Sequence, residues 1–171
     1  MIPALALART TAESHLAAVT PRLSGWGWRT TWIDDVRLRV DAVGVRVSGE
    51  QDPYVLDLDF ETYDLEPPRV RFVLPDPYGQ TPTTSSRWWP RFEGTAPFEF
   101  ALHHSYPFDD GARPAQLVCF SHSRDYYYSG HNPTDAQRWH QGRQTVAATI
   151  TRLHRVLTDP FYKEPSGADP L

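Results

Sequence analysis

The segment YVLDLDFETYDLEPPRVRF, from Tyr54 to Phe72, constrains the fold more than any other part of the chain. Tyr54, Leu56, Leu58 and Phe60 alternate with Asp57, Asp59 and Glu61, the period-two pattern of a strand with one buried face. Pro67 and Pro68 fix φ and remove two backbone donors, so the chain turns before them. Val70 and Phe72 then alternate with Arg69 and Arg71 and begin a second strand.

Upstream, Val36, Leu38 and Val40 alternate with Arg37 and Arg39, which predicts a strand from Trp32 to Val40. The parity slips near Ala42 and Gly44 before Val43, Val45 and Val47 resume it, so a further strand is expected after a turn or bulge there. Four short-linked strands make an antiparallel meander. Before it, Leu5, Ala8, Ala12, Leu16 and Val19 predict a helix over about 5–23, ended by Pro21 and Gly25. After it, Pro75 to Pro97 reads as a long surface loop, with Trp88 and Trp89 packed back on the core, and Phe98 to Leu102 as a short strand. Leu117 to Phe120 is a short apolar run around Cys119. Val146, Ile150, Leu153 and Leu157 form the stripe of an amphipathic helix stopped near Asp159 and Pro160, and the tail after Lys163 is expected to be loose. The order is α+β within one domain, 1–171.

Composition narrows the function classes. A net charge of −4 gives no electrostatic footprint for nucleic acid. No apolar run is long enough to span a membrane, and the short apolar start lacks the basic leading region of a signal peptide. The single cysteine cannot form an intrachain disulfide, which suits a reducing cytoplasm. Lys163 is the only lysine among plentiful arginine. Few amines would suit a protein carrying a reactive thioester, but a GC-rich genome explains the bias more simply, in keeping with 16 prolines.

A strand ending at Phe60, a turn bearing Tyr63, Pro67-Pro68, and a basic-apolar strand Arg69-Val70-Arg71-Phe72 resemble the central hairpin of the ubiquitin-conjugating enzymes. Leu117-Val118-Cys119-Phe120 is similar to the context of that family's cysteine. Trp139, Thr145, Val146, Ile150, Leu157, Asp159 and Pro160 look like its following tryptophan and helix with one residue inserted. The likeness covers about 54–160. The family's His-Pro-Asn element is missing: HHSYPFDDGARPAQLV stands before the cysteine, and the only asparagine, Asn132, follows it. The interval from Cys119 to Trp139 is also longer than usual. These departures resemble the divergent bacterial members, which work in operons with a ubiquitin-like modifier, an activating enzyme and often a deubiquitinase-like metalloprotease.

The resemblance implies a ubiquitin-conjugating-like fold: N-terminal helix, four-strand meander, cysteine-bearing segment, C-terminal helix. It implies that Cys119 accepts a ubiquitin-like modifier as a thioester from an activating enzyme and passes it to a target protein, with no cofactor and, by analogy, a role in anti-phage defence. Such transfer needs a thiolate, a thioester that resists water, and donors for the oxyanion, each worth roughly 3–4 kcal/mol. With the asparagine absent, His104 and His122 are the candidate catalytic partners of Cys119, ahead of Asn132 and the run Tyr126-Tyr127-Tyr128. His122 lies three residues past the cysteine, and His104 stands with His103 and Pro107 in the segment replacing the motif; either suits a general base. Asp109 and Asp110 can orient an amine, but beside Gly111 they more simply make a turn.

Three other readings compete. A lone cysteine in an apolar run is commonly a buried hydrophobe, which suits a non-catalytic binding module of the same fold. Cys119, His122 and His131 give a C-x-x-H pattern with a further histidine, but no fourth ligand is evident and the spacing is unlike common zinc frameworks, so no metal is expected. A cysteine hydrolase would need a Cys-His pair with an orienting group, and the sequence offers none distinctly.

Overall fold

In the computed structural model, which describes residues 4–94, 97–104, 116–158 and 160–168, the alternation of Tyr54 to Phe60 is realised as β3, Gln51–Asp59. It lies between β2 (Arg37–Val45) and β4 (Arg69–Val73), with β1 (Arg29–Trp32) outside β2, in an antiparallel sheet of order β1-β2-β3-β4. Register follows the pattern: Leu38, Leu58 and Val70 stand in one row and Val40, Leu56 and Phe72 in the next. All six are buried, with exposures of 0–1 %. The opposite face carries the charges. There Asp57 is covered by Arg37 and Arg71, with Nη2–carboxylate distances of 3.0 and 2.9 Å, and by the hydroxyl of Tyr78 at 2.8 Å.

Three helices cover the apolar face. α1 (Ala4–Leu16) ends before Pro21, and a short α2 (Thr20–Leu23) follows it. Their buried positions, Ala8, Ala12, Leu16, Val19 and Leu23, keep the expected spacing, whereas Leu5 is exposed. The later helix, which we number α4 (Val146–Val156), buries Val146, Ile150 and Leu153, and packs against α1. One hydrophobic core runs from Ala8 to Tyr162.

Several expectations are corrected. The slip near Ala42 and Gly44 is not a turn. β2 is one continuous strand whose inward positions are Leu38, Val40, Ala42 and Gly44, and the two small residues broke the hydrophobic signal, not the strand. The turn lies earlier, so that β1 is 29–32. The 75–97 loop contains a strand, β5 (Pro90–Phe92), and the tail is not loose after Lys163: β8 (Tyr162–Pro165) pairs antiparallel with β5. Trp89 is buried and Trp88 half-buried beside Arg87.

Tyr162 explains the inward glycine of β2. Its hydroxyl donates to Asp52 Oδ2 at 2.6 Å and lies 2.7 Å from the hydroxyl of Tyr54, while Arg46 holds Asp52 with Nε and Nη2 at 2.7 and 2.8 Å. The ring thus fixed lies against Gly44, where a Cβ would stand 2.8 Å from Cζ of Tyr162 and 3.0 Å from Cε2 of Tyr54. Gly44→Ala is therefore expected to destabilise by about 1–3 kcal/mol, the range for overpacking, although alanine ordinarily suits a strand better than glycine. Urea unfolding reads this as a lowered midpoint at unchanged slope; an unmoved midpoint would show that the tyrosine ring yields.

Candidate active site

Cys119 closes β7 (Gln116–Cys119), a strand buried at every position. β7 pairs antiparallel with β6 (Ala101–His104), setting Ala101 opposite Cys119 and His104 opposite Gln116. Opposed residues share a face and successive residues alternate, so the hairpin has two distinct sides. On one side Val118 enters the main core, and Gln116 Oε1 accepts the backbone N–H of Phe72 at 2.7 Å. That donor belongs to the edge strand β4, so the glutamine side chain docks the cysteine strand on the edge of the meander. On the other side Leu117 and Cys119 form a separate small cluster with Tyr126 of α3 (Arg124–Tyr128).

Beyond α3 the chain reverses through Ser129 and Gly130, whose φ of +79° lies in the region that favours glycine. The reversal brings His131 back over the thiol. Its Nε2 lies 3.4 Å from Cys119 Sγ, its ring stacks on Tyr126 with centroids 4.4 Å apart, and its Nδ1 lies 2.8 Å from Ser129 Oγ. Ser129 Oγ donates its one hydrogen to the carbonyl of Tyr126 at 2.8 Å. It must therefore accept from His131, so Nδ1 carries the ring hydrogen and Nε2 presents a lone pair to sulfur. The line Cys119–His131–Ser129–Tyr126 carbonyl is thus a polarised relay with the thiol at its donor end.

To act as a nucleophile the thiol would need such a partner. Cys119 is only 4 % exposed, and burial, followed by the nearby carboxylate of Glu99, pushes its pKa up to about 11. Thiolate is the nucleophilic form, and at that value it is roughly one part in 10⁴ at pH 7. An imidazole lone pair against the S–H lets the proton leave as the sulfur attacks, which is general-base activation of a nucleophile.

The structure does not bring the two histidines picked from sequence to the sulfur. His104 is exposed and stands three register positions from the Ala101–Cys119 pair, on the opposite side of the hairpin. His122 is turned into the core, 6.1 Å from Phe120 and edge-on to Trp139 at 5.3 Å, with Nδ1 3.4 Å from Thr149 Oγ1. Burial, and then Arg152, press its pKa down to about 3, so it is neutral at physiological pH and a weak base. His122 and His131 take opposite sides of the strand end and do not converge on Cys119. Among the described residues no three His, Cys, Asp or Glu side chains are grouped to hold a metal.

Of the lesser candidates, Tyr126 stacks on His131, Asn132 is exposed, and Tyr128 donates to Glu66 Oε1 at 2.6 Å. Tyr127 donates to the Ser121 carbonyl at 2.9 Å and accepts the Trp139 backbone N–H at 2.7 Å, a structural brace between α3 and the tryptophan. Pro107, Asp109, Asp110 and Asp159 lie outside the described residues. Sequence reasoning named His131 only as a possible metal ligand. The overlooked signal was the insert itself: a helix too short to carry the chain far, followed by Ser-Gly-His, returns to its starting point. No protein-family model and no curated protein matches the chain.

Proposed function

We propose that the protein is a ubiquitin-like protein conjugating enzyme of the divergent bacterial type, which accepts a modifier as a thioester on Cys119 and transfers it to a target. The observation that carries this reading is the contact of Cys119 Sγ with His131 Nε2 at 3.4 Å, on a strand docked at the edge of a four-strand meander. The element order adds support: helix, meander, cysteine strand, short helix, Trp139 and helix follow the order of the ubiquitin-conjugating fold. So does the turn residue Tyr63, which is buried and reaches both α1 and α4. The partners under this reading are an activating enzyme, a ubiquitin-like modifier and a target protein, acting in the cytoplasm, with anti-phage defence as the biological setting.

One observation favours a second reading. A thiol 4 % exposed with a raised pKa is what a non-catalytic binding module of the same fold would carry. Charging decides between them. With activating enzyme, modifier and ATP, wild type is expected to give a thiol-sensitive adduct on non-reducing gels. Cys119→Ala should give none, and Cys119→Ser an adduct that resists thiols. Absence of any wild-type adduct, while the modifier is demonstrably activated, would transfer the assignment to the binding module.

A further inference from the structure

Building on the conjugation reading, we infer that the acceptor is a hydroxyl group, a serine or threonine side chain, and that His131 is the base that takes its proton. The inference rests on the proton geometry around the sulfur. Ser129 Oγ spends its hydrogen on the Tyr126 carbonyl, so His131 Nδ1–H donates to it and Nε2 faces Cys119 Sγ as an acceptor. Once Sγ is acylated it has no hydrogen to give, and the same lone pair lies beside the thioester.

An amine makes little use of such a base. Its neutral form attacks unaided and sheds a proton afterwards. A hydroxyl is far less acidic and must lose its proton while the new bond forms, so it depends on a base in contact. A site selecting an amine would instead surround the thioester with carboxylates to hold an ammonium group. Among the described residues the carboxylate that acts on the thiol is Glu99; it is exposed, and water screens its field. Among those same residues the imidazole is the group in contact. Its ring is also fixed in place, stacked on Tyr126 at 4.4 Å.

Both steps balance. In loading, the Cys119 S–H proton passes to Nε2 as sulfur bonds to the donor carbonyl; the donor's carbon–sulfur bond breaks, and its thiolate takes the proton back. In transfer, the acceptor O–H proton passes to Nε2 as oxygen bonds to the acyl carbon; the bond to Sγ breaks, and Nε2–H returns the proton to sulfur. Ser129 is a positioning residue that holds the tautomer.

The experiment uses the full chain. Cys119 is acylated at alkaline pH with the mercaptoethanesulfonate thioester of acetyl-glycylglycine, desalted, and offered N-acetyl-threonine amide or Nα-acetyl-lysine amide at neutral pH. Deacylation and products are followed by mass spectrometry. Wild type should form the threonine ester faster than the lysine amide. His131→Gln should lower ester formation by about 100-fold and the lysine reaction by far less, so that the ester-to-amide ratio falls. Ser129→Ala, a gentler change beside the same ring, should lower ester formation in the same selective way. Lysine amide as the main wild-type product, ester formation indifferent to His131, or loss of the acyl group to water as fast as to threonine would each overturn the inference alone. A Cys119 that cannot be acylated at all would overturn the conjugation reading with it.

Discussion

On the proposed conjugation reading, His131→Ala is expected to load about 10²–10³ times more slowly than wild type at neutral pH, with the deficit closing as the pH rises. The direction follows from the thiol. Burial first, then Glu99, lift its pKa to about 11, so below that value it is a neutral S–H group and above it a thiolate. Without the base, loading depends on spontaneous ionisation, and the rate should climb about tenfold per pH unit toward that value. With His131 present the proton leaves during attack, and the profile should be flatter.

Burial, with His131 and His104 nearby, lowers the pKa of His103, while burial and then Glu99 raise that of Tyr126. Acylation by a small thioester, followed by intact mass from neutral to alkaline pH, measures both profiles without either protein partner. Parallel profiles for the two proteins would remove His131 from the chemistry. The relay predicts a smaller defect for Ser129→Ala, about tenfold, since only the hydrogen bond that sets the tautomer is lost.

Legibility in the sequence divides along physical lines. The meander was readable because the inward residues from Tyr54 to Leu58 in β3 and those of β4 are large and apolar, so period two survives in the sequence. It blurred in β2, where packing against Tyr162 requires Gly44, and neither it nor the inward Ala42 carries a strong hydrophobic signal. β8 was unreadable because a short strand of mixed polarity, Tyr-Lys-Glu-Pro, gains its order from a partner some seventy residues earlier. The cysteine strand stood out by composition. Its chemical partner did not, because nearness in sequence favoured His122, while the turn after β7 carries that side chain into the core. His131 reached the thiol only through the tertiary path of α3 and Gly130.

Tyr63→Ala carries the largest expected loss of stability, about 3–5 kcal/mol, or a fall in melting temperature of about 6–20 °C for a chain of this size. The residue joins four parts of the molecule. Its ring meets Phe60 at the end of β3 at 5.1 Å, His15 of α1 at 5.8 Å and Trp139 at 6.0 Å. Its hydroxyl accepts the backbone N–H of Val146 at 2.9 Å, a donor in the first turn of α4 that the helix cannot satisfy itself. The same hydroxyl lies 2.7 Å from His15 Nδ1. Burial raises the phenol's pKa, so the group keeps its hydrogen across the range of any ordinary assay. Tyr63→Phe separates the parts: it keeps the ring contacts and orphans the buried Val146 donor, for an expected cost of about 1–3 kcal/mol. Denaturation of the three proteins tests this, and equal midpoints for wild type and Tyr63→Ala would dismiss the tyrosine as the joint. The loss should extend to the active site. Trp139, freed from Tyr63, is held to α3 through Tyr127, and α3 leads into the turn that carries Ser129 and His131. Tyr63→Ala should therefore also slow loading of Cys119 at temperatures where the chain is still folded, whereas Tyr63→Phe, with the ring against Trp139 retained, should load normally.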